Sequence, residues 1–171
     1  ELAPLRAIGS PIADGVFVQD YTIMQTNNDA AFGHGIRSYA KNGMVKQWSQ
    51  KLVDAMVEND DPRIFIANHV AGGAVKRVGE LDTAFPHRNA EIMIVVVAGW
   101  MDAAQDDELI AACRDYHQAI NPHLGGYYGN IDFDHAAAKG NSGPAYERLS
   151  QIKGQYDPGN QFRLNSNIEP A

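Results

Sequence analysis

Residues 125–132 read GGYYGNID: two glycines, a tyrosine pair, a third glycine, then Asn130, Ile131 and Asp132. Tyrosine favours strands and glycine weakens them. The stretch is therefore either a bent strand filling a core or a backbone thinned so that something flat can approach a tyrosine hydroxyl. On a strand, Tyr127 and Tyr128 point to opposite faces, so that one joins the core and the other can face a cleft. A phenol exchanges protons near neutrality only where its neighbours bring its pKa down from about 10. The pattern alone does not choose between these readings. Asp132 and Asp134 lie two apart and would share a strand face; in a loop they are simply solvated, which is the expectation, because acid–base work needs a carboxyl with a raised pKa.

The remaining chemistry-bearing residues are dispersed. His34, His69, His87, His117, His123 and His135 include no HxH or HxxxH pair, so no metal site is predicted. The sequence has no GxGxxG, no phosphate-binding loop and no GxSxG. Cys113 is the only cysteine, which excludes an internal disulfide. Its place on the apolar side of a predicted helix marks it as a buried, inert thiol.

Elements that could position these residues can be read from hydrophobic spacing. Residues 1–20 are rich in Pro, Gly and Ala, and 21–35 suggest short helical turns. A strand is predicted at 36–41, ending in an Asn42-Gly43 turn. Val45, Trp48, Leu52, Val53, Met56 and Val57 form one helical stripe. Arg63–His69 is predicted to be a strand that turns at Ala71-Gly72-Gly73 and returns over 74–78 as a hairpin. Glu91–Trp100 is the most hydrophobic strand and is predicted to be central. A helix capped by Asp102, with Leu109, Ile110, Cys113, His117 and Ile120 on its buried face, stops at Asn121-Pro122. A last helix carries Tyr146, Leu149, Ile152 and Tyr156 in step. The fold class is α+β, a mainly antiparallel sheet covered by helices.

The chain has 171 residues, 44% of them hydrophobic and 20% charged, which are globular proportions. Its 14 Lys+Arg against 21 Asp+Glu give a net charge of −7, which disfavours nucleic acid or an anionic membrane as partner. No apolar run approaches the length of a membrane span.

The end of the chain carries more information. AYERLSQIKGQYDP (Ala145–Pro158), followed by GNQFRLNSNI (Gly159–Ile168), closely resembles the closing segment of FAD-linked oxidases of the berberine-bridge-enzyme type. Gly72-Gly73-Ala74-Val75 with Arg77-Val78, and Thr83–Arg88 (TAFPHR), resemble segments of bacterial members. Ser38–Gly43 (SYAKNG) is similar to their YxKSG, with Asn42 where serine is usual. Gly126–Ile131 matches a GxYVN[YF] pattern, with Tyr128 and Asn130 at the matching positions and Gly129 and Ile131 as departures.

The resemblance implies that residues 1–160 form a substrate-binding (cap) domain and that the tail, 161–171, returns to a larger N-terminal FAD-binding domain of the same protein. FAD is the implied cofactor, with Asn130, Asn165 and Asn167 as implied cofactor-side residues. Tyr128 is the implied proton acceptor in the oxidation of an alcohol, sugar or secondary-metabolite substrate, with hydride passing to flavin and dioxygen reoxidising it. Tyr39, Lys41, His69 and Arg88 are implied pocket residues, although each also has a structural or surface reading. The implied partners are the flavin domain and a small-molecule substrate, with self-association into a homodimer as a further option; the compartment is not implied. The competing reading is a stand-alone binding or self-associating α+β domain without chemistry.

Overall fold

Three strands form one antiparallel sheet in the order β1-β3-β2: β1 (Arg37–Val45), β2 (Phe65–Val70) and β3 (Ile92–Trp100). The computed structural model describes residues 2–10, 12–59, 61–132, 138–164 and 166–171, with the side chains of 31 and 32 also left aside. The described helices are α1 (Ala3–Arg6), α2 (Tyr21–Thr26), α3 (Asp29–Phe32), α4 (Gln50–Glu58), α5 (Asp106–Ile120), α6 (Ala138–Ser142) and α7 (Tyr146–Tyr156). The chain divides into two compact units, Glu1–His34 and Gly35–Ala171. The first holds α1–α3, none with a described buried residue, and a salt bridge between Arg6 and Asp14.

The second unit is built on β3. Its β-branched run favours the extended backbone, and the strand's period of two divides its side chains between two layers. Ile92, Ile94, Val96, Ala98 and Trp100 join Tyr39 and Val45 of β1 in the larger core, which Leu52 of α4 and Leu109, Cys113, Tyr116 and Ile120 of α5 complete. Met93 and Val95 face the other way and cluster with Ala40, Met44 and Ala90. The register fixes this split, pairing Tyr39 with Ala98, Asn42 with Val95 and Ile66 with Val96. Fully burying an aliphatic side chain such as Ile94 contributes about 1.5–3 kcal/mol, so the larger core carries most of the unit's stability.

Helix ends follow local chemistry. Ser49 caps α4 by accepting the Leu52 N–H at 3.2 Å. Asp102 accepts the Ala104 N–H at 3.0 Å, opening a short 3₁₀ turn that leads into α5. Asp106, Asp107 and Glu108 stand in the first turn of α5, where negative charge is favourable.

Three sequence expectations need correcting. β1 does not turn at Asn42-Gly43 but runs through to Val45. Asn42 is buried there, and Gly43 is required because a Cβ would lie 2.3 Å from Leu124 Cδ1. With Val45 in the strand, α4 starts only at Gln50 and Trp48 lies in the connection, 42% exposed. No hairpin follows β2: Val75–Arg77 is a 3₁₀ turn, and β2 pairs instead with β3. The apolar stripe of α7 is half-buried at Tyr146 and Leu149 and exposed at Ile152 (42%) and Tyr156 (79%).

Candidate functional site

The site grows out of the free edge of β1. Beyond α5, a turn over Asn121–His123 brings Leu124 over Gly43. Gly125 then donates to the Met44 carbonyl at 2.7 Å, and Met44 donates to the Gly126 carbonyl at 2.8 Å. Two residues oppose one, as in a bulge. Gly126 takes φ +132°, and a Cβ there would stand 2.6 Å from His87 Cε1. Glycine is demanded on both counts. The stretch is therefore an extended edge segment followed by a 3₁₀ turn, Gly129–Ile131, rather than a strand.

At Tyr128 the pairing changes hands. The Asn42 side chain, rather than its backbone, takes both main-chain groups of Tyr128: Oδ1 accepts the N–H at 2.7 Å and Nδ2 donates to the carbonyl at 2.9 Å. The Tyr128 ring packs with the Met93–Val95 cluster, edge-on to Phe85 at 6.1 Å. Its hydroxyl accepts from Asn130 Nδ2 at 2.8 Å. Tyr127 goes elsewhere. Its ring covers Gly140, where a Cβ would lie 2.5 Å away, and it hydrogen-bonds with the Ser166 side chain. Burial, together with the Asp132 charge, pushes the Tyr127 hydroxyl above the usual phenol range. Tyr128 remains half-exposed on the open side of the sheet.

Two residues not foreseen from sequence organise this region. Asn141 accepts the Gly129 N–H on Oδ1 at 2.8 Å, and its carbonyl meets His87 Nε2 at 2.9 Å. Its one sequence signal is a place in the turn-forming run Gly140–Pro144. His87 is 9% exposed, and burial holds its pKa below the ordinary value, against opposing hydrogen bonds to the backbone of Asn141 and Tyr127. The expectation for Asp132 is overturned: it is not solvated but 3% exposed, with Lys41 Nζ 3.4 Å from its carboxylate. Asp134 and His135 lie outside the described residues.

The sequence-predicted residues separate into groups. Tyr128 and Asn130 touch directly, and Lys41 reaches the same segment through Asp132. Asn167 follows Ser166, whose Oγ lies 3.3 Å from where a Gly129 Cβ would stand; the Asn167 Oδ1 is buried and has no partner among the described residues. Asn165 lies outside the described residues. Tyr39 is buried on the helix-covered side, where Arg114 Nε donates to its hydroxyl at 2.9 Å, so it does not join Tyr128. His69 is exposed on β2, opposite Met93, on the side of the sheet that Tyr128 covers. Arg88 holds its own turn, donating to Thr83 Oγ1 at 2.7 Å and to the Phe85 carbonyl at 3.2 Å, with its guanidinium 5.1 Å over the Phe85 ring. It meets the site through Phe85, whose ring packs against Tyr128. Among the described residues no His, Cys, Asp and Glu side chains group as a metal site, and no helix is long and apolar enough to cross a membrane.

Residues 140–169 match the family model described as berberine and berberine like. The chain is 32% identical over 102 residues to the FAD-linked oxidoreductase YvdP of Bacillus subtilis, an alignment covering 58% of this chain and 23% of that one. It is 27% identical over 173 residues to an FAD-linked oxidoreductase of Dictyostelium discoideum, covering 97% of this chain and 38% of the relative. The chain thus spans well under half the length of either relative. A structure of a berberine bridge enzyme variant superposes on 87% of this chain and 36% of its own, with TM-score 0.71 and 21% identity. A glycopeptide hexose oxidase complexed with teicoplanin superposes on 81% of this chain and 33% of its own, with TM-score 0.70 and 22% identity. The α+β architecture is that of these structures, and the closing segment, residues 140–169, is similar to the berberine and berberine-like family.

Proposed function

We propose that this chain is the substrate-facing part of an FAD-linked oxidoreductase and works together with a larger flavin-binding domain. One observation carries the reading. Tyr128 presents its hydroxyl at the half-open face of the sheet, with its backbone gripped by Asn42 and its oxygen held by Asn130. A group built to exchange a proton needs such fixed placement.

Bound FAD would supply the two-electron acceptor for oxidation of a substrate carbon bearing a hydroxyl. Tyr128, in its phenolate form, would accept the proton of that hydroxyl and become the neutral phenol. The N–H that Asn130 donates to the Tyr128 oxygen would fix the orientation of that oxygen toward the substrate. Phe85 and Val97 would wall the apolar side of the pocket, and His69 would offer a polar group at its β2 rim. Asn167 fits a cofactor-side role, because its buried Oδ1 acceptor calls for an N–H or O–H donor such as a flavin cofactor carries. Asn130 and, outside the described residues, Asn165 would complete that side.

The domain assignment is proposed on the same footing. Phe162 and Leu164 are 83% and 86% exposed, an apolar pair on a tail that its own unit does not cover. We take residues 1–160 as the substrate-binding portion and 161–171 as the segment that returns to the flavin domain. The test is colour and chemistry together. The intact protein should absorb near ~450 nm, the typical flavin band, and bleach when a hydroxyl-bearing substrate is added without oxygen. A colourless full-length preparation would overturn the reading.

A further inference from the structure

Asn42 is 1% exposed, and its side-chain amide does the work of a strand backbone. One planar amide satisfies both the N–H and the carbonyl of Tyr128, at 2.7 and 2.9 Å. Two residues further along β1, Met44 meets Gly125 and Gly126 by direct main-chain bonds. From Gly126 to Tyr128 the partner therefore steps back from Met44 to Asn42, an antiparallel progression in which the second pairing is longer by one side chain. That spacer lifts the segment from the edge of β1 onto the face of the sheet, where Tyr128 meets Phe85 and the Met93–Val95 cluster. Asn42 is itself anchored, since its carbonyl meets His117 Nε2 of α5 at 3.1 Å.

We infer that Asn42 is a positioning residue for Tyr128: the reach of its amide sets where the phenol hydroxyl stands above the open face. Serine is too short to engage both main-chain groups at once, so a serine here would hold the segment by one bond and closer to β1. The inference rests on the proposed role of Tyr128 as proton acceptor, but its structural half can be measured without any cofactor.

In the 171-residue chain, amide hydrogen exchange followed by NMR should show the Tyr128 N–H and the Asn42 side-chain N–H₂ protected, the latter at least about tenfold over that of Asn130. Asn42→Ser should speed exchange at the Tyr128 N–H by about tenfold or more and leave the Ile94 and Val96 amides unchanged. In the flavin-loaded enzyme the same variant should lower kcat by at least about tenfold, with KM within about twofold. Unchanged exchange at Tyr128 in Asn42→Ser overturns the clamp. Faster exchange with unchanged kcat overturns the positioning role. Should Asn42→Ser not fold, the unmodified chain decides, because an Asn42 side chain exchanging as fast as that of Asn130 also overturns the clamp. Tyr128→Phe separates the two ideas: unchanged turnover there sinks the proton-acceptor reading, and with it the kinetic half of the inference, while the exchange data still report on the clamp.

Discussion

Lys41 Nζ lies 3.4 Å from each carboxylate oxygen of Asp132, and the two side chains are only 13% and 3% exposed. A pair so withdrawn from water is costly to split, because the remaining charge keeps its desolvation penalty without its partner's attraction. Lys41→Met should therefore destabilise the chain by about 3 kcal/mol in urea denaturation. The double variant Lys41→Met/Asp132→Leu should recover at least about 1 kcal/mol of that loss. Additive losses would mean that the two groups are not coupled.

His87 should impose a specific pH dependence. Burial is the largest influence on it and lowers its pKa below the ordinary value for a histidine. As pH falls, the unfolded chain takes up the proton first. The stability contributed by neutral, folded His87 is complete above the unfolded-state value, starts to fade at it, and is fully lost once pH drops below the lower folded value. Between pH 8 and pH ~5, the urea midpoint of the wild-type chain should fall more than that of His87→Gln. Parallel falls would show that His87 is not the group responsible.

Gly126 should tolerate no side chain. It combines a φ of +132° with the close approach of His87 Cε1 at 2.6 Å and of the Gly140 carbonyl at 3.2 Å from where a Cβ would stand. Backbone strain and overpacking each cost about 1–3 kcal/mol. Gly126→Ala should thus destabilise far more than Gly72→Ala, whose Cβ would meet nothing within 4 Å. Thermal denaturation of the two variants makes the comparison.

Much of the frame was legible because it rests on local signals. The unbroken apolar run of β3 marks it as the central strand, and the 3.6-residue spacing of α5 marks the face it buries. The errors arose where tertiary contact overrode a local cue. Asn42-Gly43 reads as a turn, yet the asparagine is spent on Tyr128 and the glycine makes room for Leu124. Gly72-Gly73 reads as a hairpin, yet β3 takes the pairing that a returning strand would have used. The choice between Tyr127 and Tyr128 was open to pattern reasoning because it depends on Gly140, Asn141 and Ser166, residues far along the chain that packing brings to Tyr127. Asp132 reads as solvated for the same reason, since nothing near it in sequence announces Lys41.

Cys113 should be silent to thiol reagents while the chain is folded. It is fully buried, its Sγ donates to the Tyr39 carbonyl at 3.8 Å, and burial pushes the thiol up to about 11. The thiolate is the reactive form and is scarce at pH 8 for such a group. A disulfide-exchange reagent should react at the rate of global unfolding and immediately after denaturation. Fast reaction in the native chain would show that α5 opens locally over β1.

Tyr128→Phe provides the sharpest division between structure and chemistry. The segment is held through the Tyr128 main chain, by Asn42, and through the Gly129 N–H, by Asn141; the Tyr128 hydroxyl meets only the exposed Asn130 among the hydrogen bonds described. Removing that oxygen should change stability by less than about 1 kcal/mol. If the hydroxyl takes the substrate proton, turnover of the flavin-loaded enzyme should nevertheless fall by about a hundredfold or more. Asn130→Ala leaves the hydroxyl but removes the N–H donated to it, and should lower kcat by a smaller factor, about tenfold. A Tyr128→Phe enzyme that turns over normally would assign the proton to another group, and the half-open face beside His69 is where that group should then be sought.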